Sequence, residues 1–150
     1  MKQLTFSLAL FFSLVLTLMA QQIEIPVPVQ EAQNLRYPKA EAVIWDATEE
    51  GEFVATFMLG ALELSSRYDE KGMWLGTLIY LDQSDVPQPI HSTVARKYSS
   101  YEMYDVMKVE EPAGGSYYEA TLESDVDALL VRFDAAGKVL LSERIDMELE

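Results

Sequence analysis

The feature that most constrains the fold of this chain is an internal duplication. The segment Ile25-Pro26-Val27-Pro28-Val29 returns 61 residues later as Val86-Pro87-Gln88-Pro89-Ile90. Residues 53–80 then match residues 118–145 at a spacing of 65. Identical residues recur at Ala55/Ala120, Thr56/Thr121, Leu64/Leu129, Arg67/Arg132, Asp69/Asp134, Gly72/Gly137 and Leu75/Leu140. A duplication of this length predicts two copies of one structural unit.

The change of spacing from 61 to 65 predicts an insertion of four residues in the second copy. The segment Glu110-Glu111-Pro112-Ala113-Gly114-Gly115 is rich in residues that favour turns. We therefore expect the insertion to form a longer loop there.

The N-terminus is typical of a secretory signal peptide. Lys2 precedes an apolar run over residues 4–19, and the small residue Ala20 ends it. This run is 16 residues long, short of the roughly 20 that a spanning helix needs, and a retained membrane anchor is the alternative. We predict a signal peptide over 1–20 that is cleaved after Ala20, a first copy over 21–82, a second over 83–150, and a secreted or periplasmic protein.

The charge of the chain limits its partners. Its formal net charge is −14 at pH 7. Nucleic acids and anionic bilayers repel so acidic a protein, which excludes the usual electrostatic route to either. A basic or neutral protein or peptide remains as a partner. Because the chain has no cysteine, no disulfide can stabilise it, and its stability must come from packing.

Each copy is predicted to contain one short helix and four strands, which gives the α+β class. Helices are predicted after Pro26 and Pro87, since proline is tolerated in a first helical turn, and Asp85 is the expected N-cap of the second. Their apolar stripes are Val29, Ala32 and Leu35, then Ile90, Val94 and Tyr98. The strand-like runs lie near 40–48, 52–59, 61–69 and 73–82, and near 101–109, 117–123, 126–133 and 138–146.

Alternation along each strand assigns side chains to the two faces of the sheet. Positions that are apolar in both copies are predicted to face the helices: Val43/Tyr104, Trp45/Val106, Phe53/Tyr118, Ala55/Ala120, Phe57/Leu122, Leu64/Leu129, Tyr68/Phe133, Trp74/Val139 and Tyr80/Ile145. The opposite face of copy two is predicted to be charged, with Asp105, Glu119, Glu123, Arg132, Lys138 and Arg144. In copy one the opposite face carries what we call the copy-one patch, Ile44, Val54, Met58, Met73, Leu75 and Ile79. A patch of this kind is either covered or a contact surface.

Several motifs resemble those of a known family. They are Tyr37-Pro38-Lys39-Ala40, Trp45, Phe53-Val54-Ala55-Thr56-Phe57 and Tyr68-Asp69-Glu70-Lys71-Gly72, with second copies at 118–122 and 133–137. Doubled behind a signal peptide, they resemble the PepSY-like proteins, small exported bacterial proteins related in fold to the β-lactamase inhibitor proteins. The resemblance implies tandem units of one helix and four antiparallel strands, with the helices on one face of a curved sheet.

The resemblance also implies protein binding, because the inhibitor relatives grip an enzyme with the open sheet face and its loops. No inhibitory loop residue is matched here, and the disulfides of the true inhibitors are missing. We therefore predict a non-enzymatic protein that binds or inhibits another protein or peptide through the copy-one patch. Arg67 would orient the partner, since arginine is among the residues that contribute most binding energy at interfaces. The alternative is that Arg67 is a strand residue that pairs with a nearby carboxylate. Tyr101 is a further candidate for the open face.

Side chains suited to catalysis or metal binding are scarce. His91, the single histidine, adjoins Ser92 on a predicted helix, where neighbouring residues point in different directions, so a catalytic pair is not expected. One histidine without cysteine cannot build the usual zinc or copper sites, and the acidic runs lack the calcium-loop pattern. No catalytic residue, metal or cofactor is predicted. The alternatives are a calcium- or small-ligand-binding envelope sensor, or a protein that self-associates through the patch as a homodimer.

Overall fold

The computed structural model describes residues 23–145 of the 150-residue chain. The predicted signal peptide lies outside the described residues. Ten main elements follow one another: α1 Val27–Arg36, β1 Glu41–Ala47, β2 Phe53–Leu59, β3 Leu62–Tyr68, β4 Trp74–Leu81, α2 Gln88–Lys97, β5 Glu102–Glu110, β6 Ser116–Glu123, β7 Ala128–Phe133 and β8 Val139–Ile145. The predicted α+β class is confirmed, and the predicted strand bounds agree with these to within two residues.

The eight strands form a single antiparallel sheet in the order in which they occur in the sequence. Both helices pack on the same side of this sheet, which we call the helix face. Val29 and Gln33 of α1 are buried there, as are Ile90 and Val94 of α2. The opposite side is called the open face.

Both helices begin at prolines, as predicted, because Pro26 and Pro87 hold the N-cap positions. The prediction of Asp85 as the second N-cap is wrong. Asp85 ends a short 3-10 turn, Gln83–Asp85, and no side chain caps α2. Pro28 and Pro89, in the first turns of the helices, have no N–H that a capping side chain could bind, and neither helix has a side-chain cap.

Two glycines bring the hairpin turns against the helices. Gly72 and Gly137 have φ angles of +81° and +77°, a conformation that side chains rarely adopt. A β-carbon at Gly72 would collide with the carbonyl oxygen of Pro28, and one at Gly137 with that of Pro89. Each turn thus touches the first turn of its own helix, which explains why glycine recurs at this place.

The core of the second half is apolar. Ile90 and Val94 of α2 pack against a group of buried strand residues: Val106, Ala120, Leu122, Val131 and Phe133. The predicted stripe of α2 is therefore confirmed, with Tyr98 packed at its edge.

The core of the first half is partly polar, which the sequence did not predict. The hydroxyl of Tyr68 donates to Oε1 of Gln33, and the hydroxyl of Ser66 donates to that of Tyr68 at 2.9 Å. Thr77 joins this network through contacts with Ser66 and Tyr37. In the second half the matching positions are the apolar Val94, Phe133 and Val131.

The predicted apolar stripe of α1 is wrong at its third position. Leu35 is 86% exposed, whereas Gln33 is 2% exposed and takes the place facing the sheet. Because Gln33 finds a partner in Tyr68, a polar side chain is buried where periodicity predicted an apolar one.

A bulge in β4 reverses the side of the sheet to which each later residue of this strand points. Tyr68 pairs with Trp74, but Arg67 pairs with Gly76, so Leu75 is an extra residue. Ile79, predicted on the open face, therefore pairs with Leu64 and packs on the helix face. Tyr80, predicted to face the helices, lies on the open face. A bulge changes the alternation by one residue, which sequence alternation cannot reveal.

The same irregularity occurs in β8, where Phe133 pairs with Val139 and Arg132 with Leu141. Register therefore places Ile145 on the open face and Arg144 on the helix face, the reverse of the predictions. Arg144 contributes an ion pair of 2.8 Å to Asp127 there.

Bulges also interrupt the edge strand β1 and its counterpart β5. Val43 and Tyr104, predicted to be core, lie at these bulges and are 37% and 47% exposed. Ala42 has a φ angle of +52°, which is unusual for a residue with a β-carbon.

The predicted insertion of four residues corresponds to a longer hairpin in the structure and not to the longer loop that we expected. The β1–β2 and β5–β6 connections, 48–52 and 111–115, have equal lengths. Strand β5 extends by Val109 and Glu110 beyond the residue that matches the end of β1, and β6 begins with Ser116 and Tyr117 before the residue that matches the start of β2. Val109 pairs with both Leu78 of β4 and Tyr117, so the insertion adds sheet where the two halves meet.

Candidate functional site on the open sheet face

The open face is an extended surface with apolar and charged rows. Strand register aligns one row across β1 to β6: Ile44, Thr56, Ser65, Leu78, Val109 and Tyr117. A second row crosses β4 to β8: Tyr80, Met107, Glu119, Arg132 and Leu141. Apolar side chains therefore continue from the first half into the second.

The copy-one patch is only partly assembled on this face. Ile44 lies on it and is 69% exposed, and Val54 and Met58 are half-buried beside it. Met73 is exposed in the turn before β4 rather than in a strand, and Ile79 faces the helices.

Sequence reasoning missed several open-face residues near the middle of the sheet. Tyr80 was assigned to the helix face by an alternation that the β4 bulge breaks, Leu78 was assigned to neither face, and Val109 and Tyr117 belong to the predicted insertion. A glycine inside a predicted strand, Gly76, was the signal for that bulge, because glycine in a strand often marks one.

A small cavity opens at the boundary between β4 and β5, and we call it the seam pocket. Its volume is about 110 Å³. Its lining residues are Arg67, Leu75, Gly76, Thr77, Leu78, Val109, Glu110, Glu111, Pro112 and Tyr117. Among these residues, Val109 is 8% exposed.

Arg67 and Arg132, which are 65 residues apart in the duplication, each form an ion pair with a glutamate. Nη1 of Arg67 lies 3.3 Å from Oε2 of Glu52, and Nε of Arg132 lies 2.7 Å from Oε2 of Glu119. The predicted alternative, a strand arginine paired with a carboxylate, therefore describes both. Arg67 remains half-exposed at the rim of the seam pocket, where it can also reach a bound group.

Tyr117 lies between these ion pairs. The guanidinium of Arg132 is 4.9 Å from the centre of its ring, a cation–π contact. Burial raises the pKa of Tyr117, and the positive charge of Arg132 only partly opposes this effect. The phenol is therefore neutral at physiological pH, and its hydroxyl acts as a hydrogen-bonding group rather than a base.

A second cavity, of about 470 Å³, lies beside the C-terminus of α1. The guanidinium carbon of Arg36 is 3.3 Å from the centre of the Trp74 ring, which forms one wall. Trp74 was correctly predicted to face the helices, where its indole N–H donates to Thr77. This cavity therefore opens away from the open face.

Tyr101, a predicted candidate for the open face, faces the helices. Its ring packs against the second-half core, and its hydroxyl donates a hydrogen bond of 2.9 Å to Asp127. The prediction is wrong because β5 is preceded by a turn that directs Tyr101 inward, where Tyr98 meets it edge-on.

His91 and Ser92 bind different backbone carbonyls. The ring Nε2 of His91 donates to the carbonyl of Gln83 at 3.0 Å, and the Ser92 hydroxyl donates to that of Gln88 at 3.1 Å. Neither side chain is directed at the other. Over residues 23–145, no group of three or more His, Cys, Asp or Glu side chains is arranged to hold a metal ion.

No protein-family model matches the chain, and no curated protein does. None of the helices within residues 23–145 has both the length and the apolar character required to cross a membrane.

Several solved structures from Bacteroides species are similar to this chain. A BLIP-like protein from Bacteroides fragilis superposes with a TM-score of 0.76 at 19% identity, covering 87% of this chain and 94% of that one. A DUF2874 family protein from Bacteroides ovatus gives 0.74 at 21% identity, with coverages of 81% and 89%. A putative periplasmic protein from Bacteroides eggerthii gives 0.73 at 19% identity, with coverages of 82% and 91%. At these identities the likeness establishes a shared BLIP-like fold.

Proposed function

We propose that this protein is an exported, non-enzymatic binding protein that holds another protein or peptide on its open face. The observation that carries this proposal is the row that crosses from the first half into the second, here called the apolar row for its members Ile44, Leu78, Val109 and Tyr117. Thr56 and Ser65 are its polar members. Ile44 and Tyr80 are 69% and 38% exposed on that face, while both helices pack on the other one. Apolar side chains that are exposed together on one face are typical of interaction sites.

Export is supported by the predicted signal peptide. The similarity to a protein described as putative periplasmic agrees with it. We place the protein in the periplasm or outside the cell.

We also infer that the two halves are copies of one PepSY-like unit. Each half runs from a helix through four strands. The bulges after Arg67 and after Arg132 stand 65 residues apart, at the spacing of the sequence duplication. A shared irregularity supports common origin more strongly than a shared regular strand, because bulges are retained within families.

The hydrogen bonds and ion pairs of the polar side chains support a binding role without catalysis. His91 and Ser92 are occupied by backbone carbonyls, and the arginines of the open face are held by carboxylates. The similarity to a BLIP-like protein favours the same conclusion. An inhibitor needs a complementary surface rather than an activated nucleophile.

The partner would bury the apolar row and meet aromatic and arginine side chains at its centre. Tyr80, Tyr117 and Arg132 are of the types that carry most binding energy at interfaces. The contact set that we propose keeps Ile44, Val54, Met58, Arg67, Met73 and Leu75 from the sequence prediction and adds Leu78, Tyr80, Met107, Tyr117 and Arg132. Ile79 is left out because it packs on the helix face.

Charge substitutions on the open face test this proposal. We expect Ile44→Glu combined with Tyr80→Glu to lose a partner that the unaltered protein captures from an extract of the cells that produce it. Leu35→Glu is the matched control, because Leu35 is 86% exposed on α1 and away from the open face. Equal capture by the double variant and the control would refute the proposal.

Light scattering on the same proteins separates self-association from capture of a different protein. A dimer that the double variant abolishes and Leu35→Glu preserves would assign the open face to a second copy of this chain. Circular dichroism should show the same melting temperature, to within a few degrees, for all three proteins, since these substitutions lie at exposed sites.

A further inference from the structure

We propose that the seam pocket receives an aliphatic side chain from a basic segment of the partner. This inference rests on the proposed binding function and adds to it an anchor point and a partner chemistry.

The insertion builds this pocket. Val109 and Tyr117 are two of the four inserted residues, and they pair with each other while Val109 also pairs with Leu78. Leu75, the extra residue of the β4 bulge, adds a further apolar wall. The β4 bulge, which β8 shares, thus meets the extra residues of β5 and β6, which have no counterpart in the first half, and together they form a concave site in the sheet.

The size and lining of the pocket suit a branched aliphatic group. Its volume is about 110 Å³, somewhat below the roughly 150 Å³ of an apolar cavity that accepts benzene. Leu75, Leu78 and Val109 form the apolar part of the lining, and charged side chains, Arg67, Glu110 and Glu111, form part of the rest. A leucine or isoleucine side chain would fill the space and gain the free energy of leaving water.

The charges around the seam pocket favour a cationic residue next to the aliphatic side chain of the partner. Arg67 and Arg132 are each paired with a carboxylate, whereas Glu111, at the rim beside Tyr117, forms no ion pair with any residue in the 23–145 range. Register places further carboxylates on the open face: Asp46, Glu63, Glu123 and Glu143. A lysine or arginine next to the anchor would meet Glu111, and an acidic segment would be repelled.

Three synthetic peptides probe this chemistry. The first has one central leucine flanked by lysines and capped with glycine and serine. The second replaces its leucine with glycine, and the third replaces its lysines with glutamates. Titration into the ¹⁵N-labelled protein should show binding of the first peptide, with the largest amide shifts at Leu75, Val109 and Tyr117. We expect the glycine replacement to weaken binding by about tenfold or more, because the leucine no longer leaves water. The glutamate replacement should weaken it by about as much, because Glu111 repels an acidic segment.

Two pairs of variants locate the effect. Leu75→Ala should weaken binding of the leucine peptide several-fold, while Leu140→Ala should not, because Leu140 holds the same bulge position in β8 away from the seam. Glu111→Lys should weaken binding more than Glu49→Lys, which makes the same charge change in the matching loop of the first half.

Equal weakening by Glu111→Lys and Glu49→Lys would show attraction by net charge alone and would overturn the inference. Binding of the glutamate peptide as tight as that of the lysine peptide, or shifts away from the seam, would do the same. If Ile44→Glu with Tyr80→Glu abolishes partner capture while the lysine peptide fails to bind, the anchor inference fails and the proposed function stands.

Discussion

The hydroxyl of Tyr68 donates a hydrogen bond of 2.8 Å to Oε1 of Gln33 in the core between α1 and the sheet. Both side chains are buried, and Nε2 of the same glutamine has no hydrogen-bond partner within residues 23–145. In the second half the matching residues are Phe133 and Val94. At these matching positions the first half therefore has a polar contact between helix and sheet, and the second half has apolar packing.

Tyr68→Phe should destabilise the protein by about 1–3 kcal/mol, because it leaves Oε1 of Gln33 buried without a donor. Gln33→Leu should likewise leave the Tyr68 hydroxyl without its acceptor. The double variant should cost less than the sum of the two, since neighbours that share a bond are not additive. Urea unfolding measures all three, with Tyr80→Phe on the open face as a control. Strict additivity would mean that this hydrogen bond contributes nothing of its own.

Ala42→Gly should stabilise the protein by roughly 0.5–1 kcal/mol. Ala42 has a φ angle of +52°, and glycine adopts such angles without the steric cost that a β-carbon brings. Ala47→Gly in the same strand should destabilise, because its backbone is extended and glycine adds flexibility to the unfolded chain. Melting temperatures of the two variants should move in opposite directions; movement in the same direction would contradict the assigned strain.

Gly72→Ala should destabilise the protein by more than Gly51→Ala. Both glycines have φ angles near +80°, but only the β-carbon at Gly72 would meet backbone, the carbonyl of Pro28. The φ strain should cost about 1 kcal/mol in each variant, and overpacking should add roughly 1–3 kcal/mol at Gly72. Chemical unfolding checks the difference. Equal losses of stability in the two variants would show that the turn can move to accommodate the β-carbon at position 72 without disturbing α1.

Stability should depend on pH through Asp127. Hydrogen bonds from Ser124 and Tyr101, together with the charge of Arg144, lower the pKa of Asp127 below its ordinary value of 3.8. A depressed pKa in the folded state contributes stability that is fully present above the unfolded pKa and is lost as the pH falls through the folded one. Asp127→Asn should therefore be less stable than the unaltered protein at pH 6, and the difference should shrink below about pH 4.

Thermal unfolding as a function of pH measures this dependence, and Asp125→Asn in the same turn is the control. A difference between Asp127→Asn and the unaltered protein that stays constant down to pH 2 would contradict the lowered pKa.

The existence and order of the elements were predictable because each strand is a short branched or aromatic run and each helix opens at a proline. The faces of the residues were predictable only up to each bulge. Ile79 and Tyr80 exchanged faces because Leu75 is an extra residue that periodicity alone does not reveal. Gln33 was missed because its burial depends on Tyr68, which lies 35 residues away in the sequence.

The candidate site was harder to predict than the fold. Ile44 and Arg67 were placed on the open face by alternation, which holds in β1 after its bulge and in β3. The seam pocket depends on how an insertion in β5 and β6 meets a bulge in β4, and such a junction between distant segments leaves no local pattern in the sequence.

The strand order also bears on how the chain folds. Because every strand pairs with its neighbour along the chain, loop closures are short wherever two strands are joined by a turn. β4 and β5 are connected through α2, so their pairing closes a longer loop than the pairing of strands that a turn joins. Proteins rich in such local pairings reach their native state faster than β proteins whose partners are remote in sequence. The pairing of neighbouring strands can therefore start in either half, and the pairing of β4 with β5 completes the sheet.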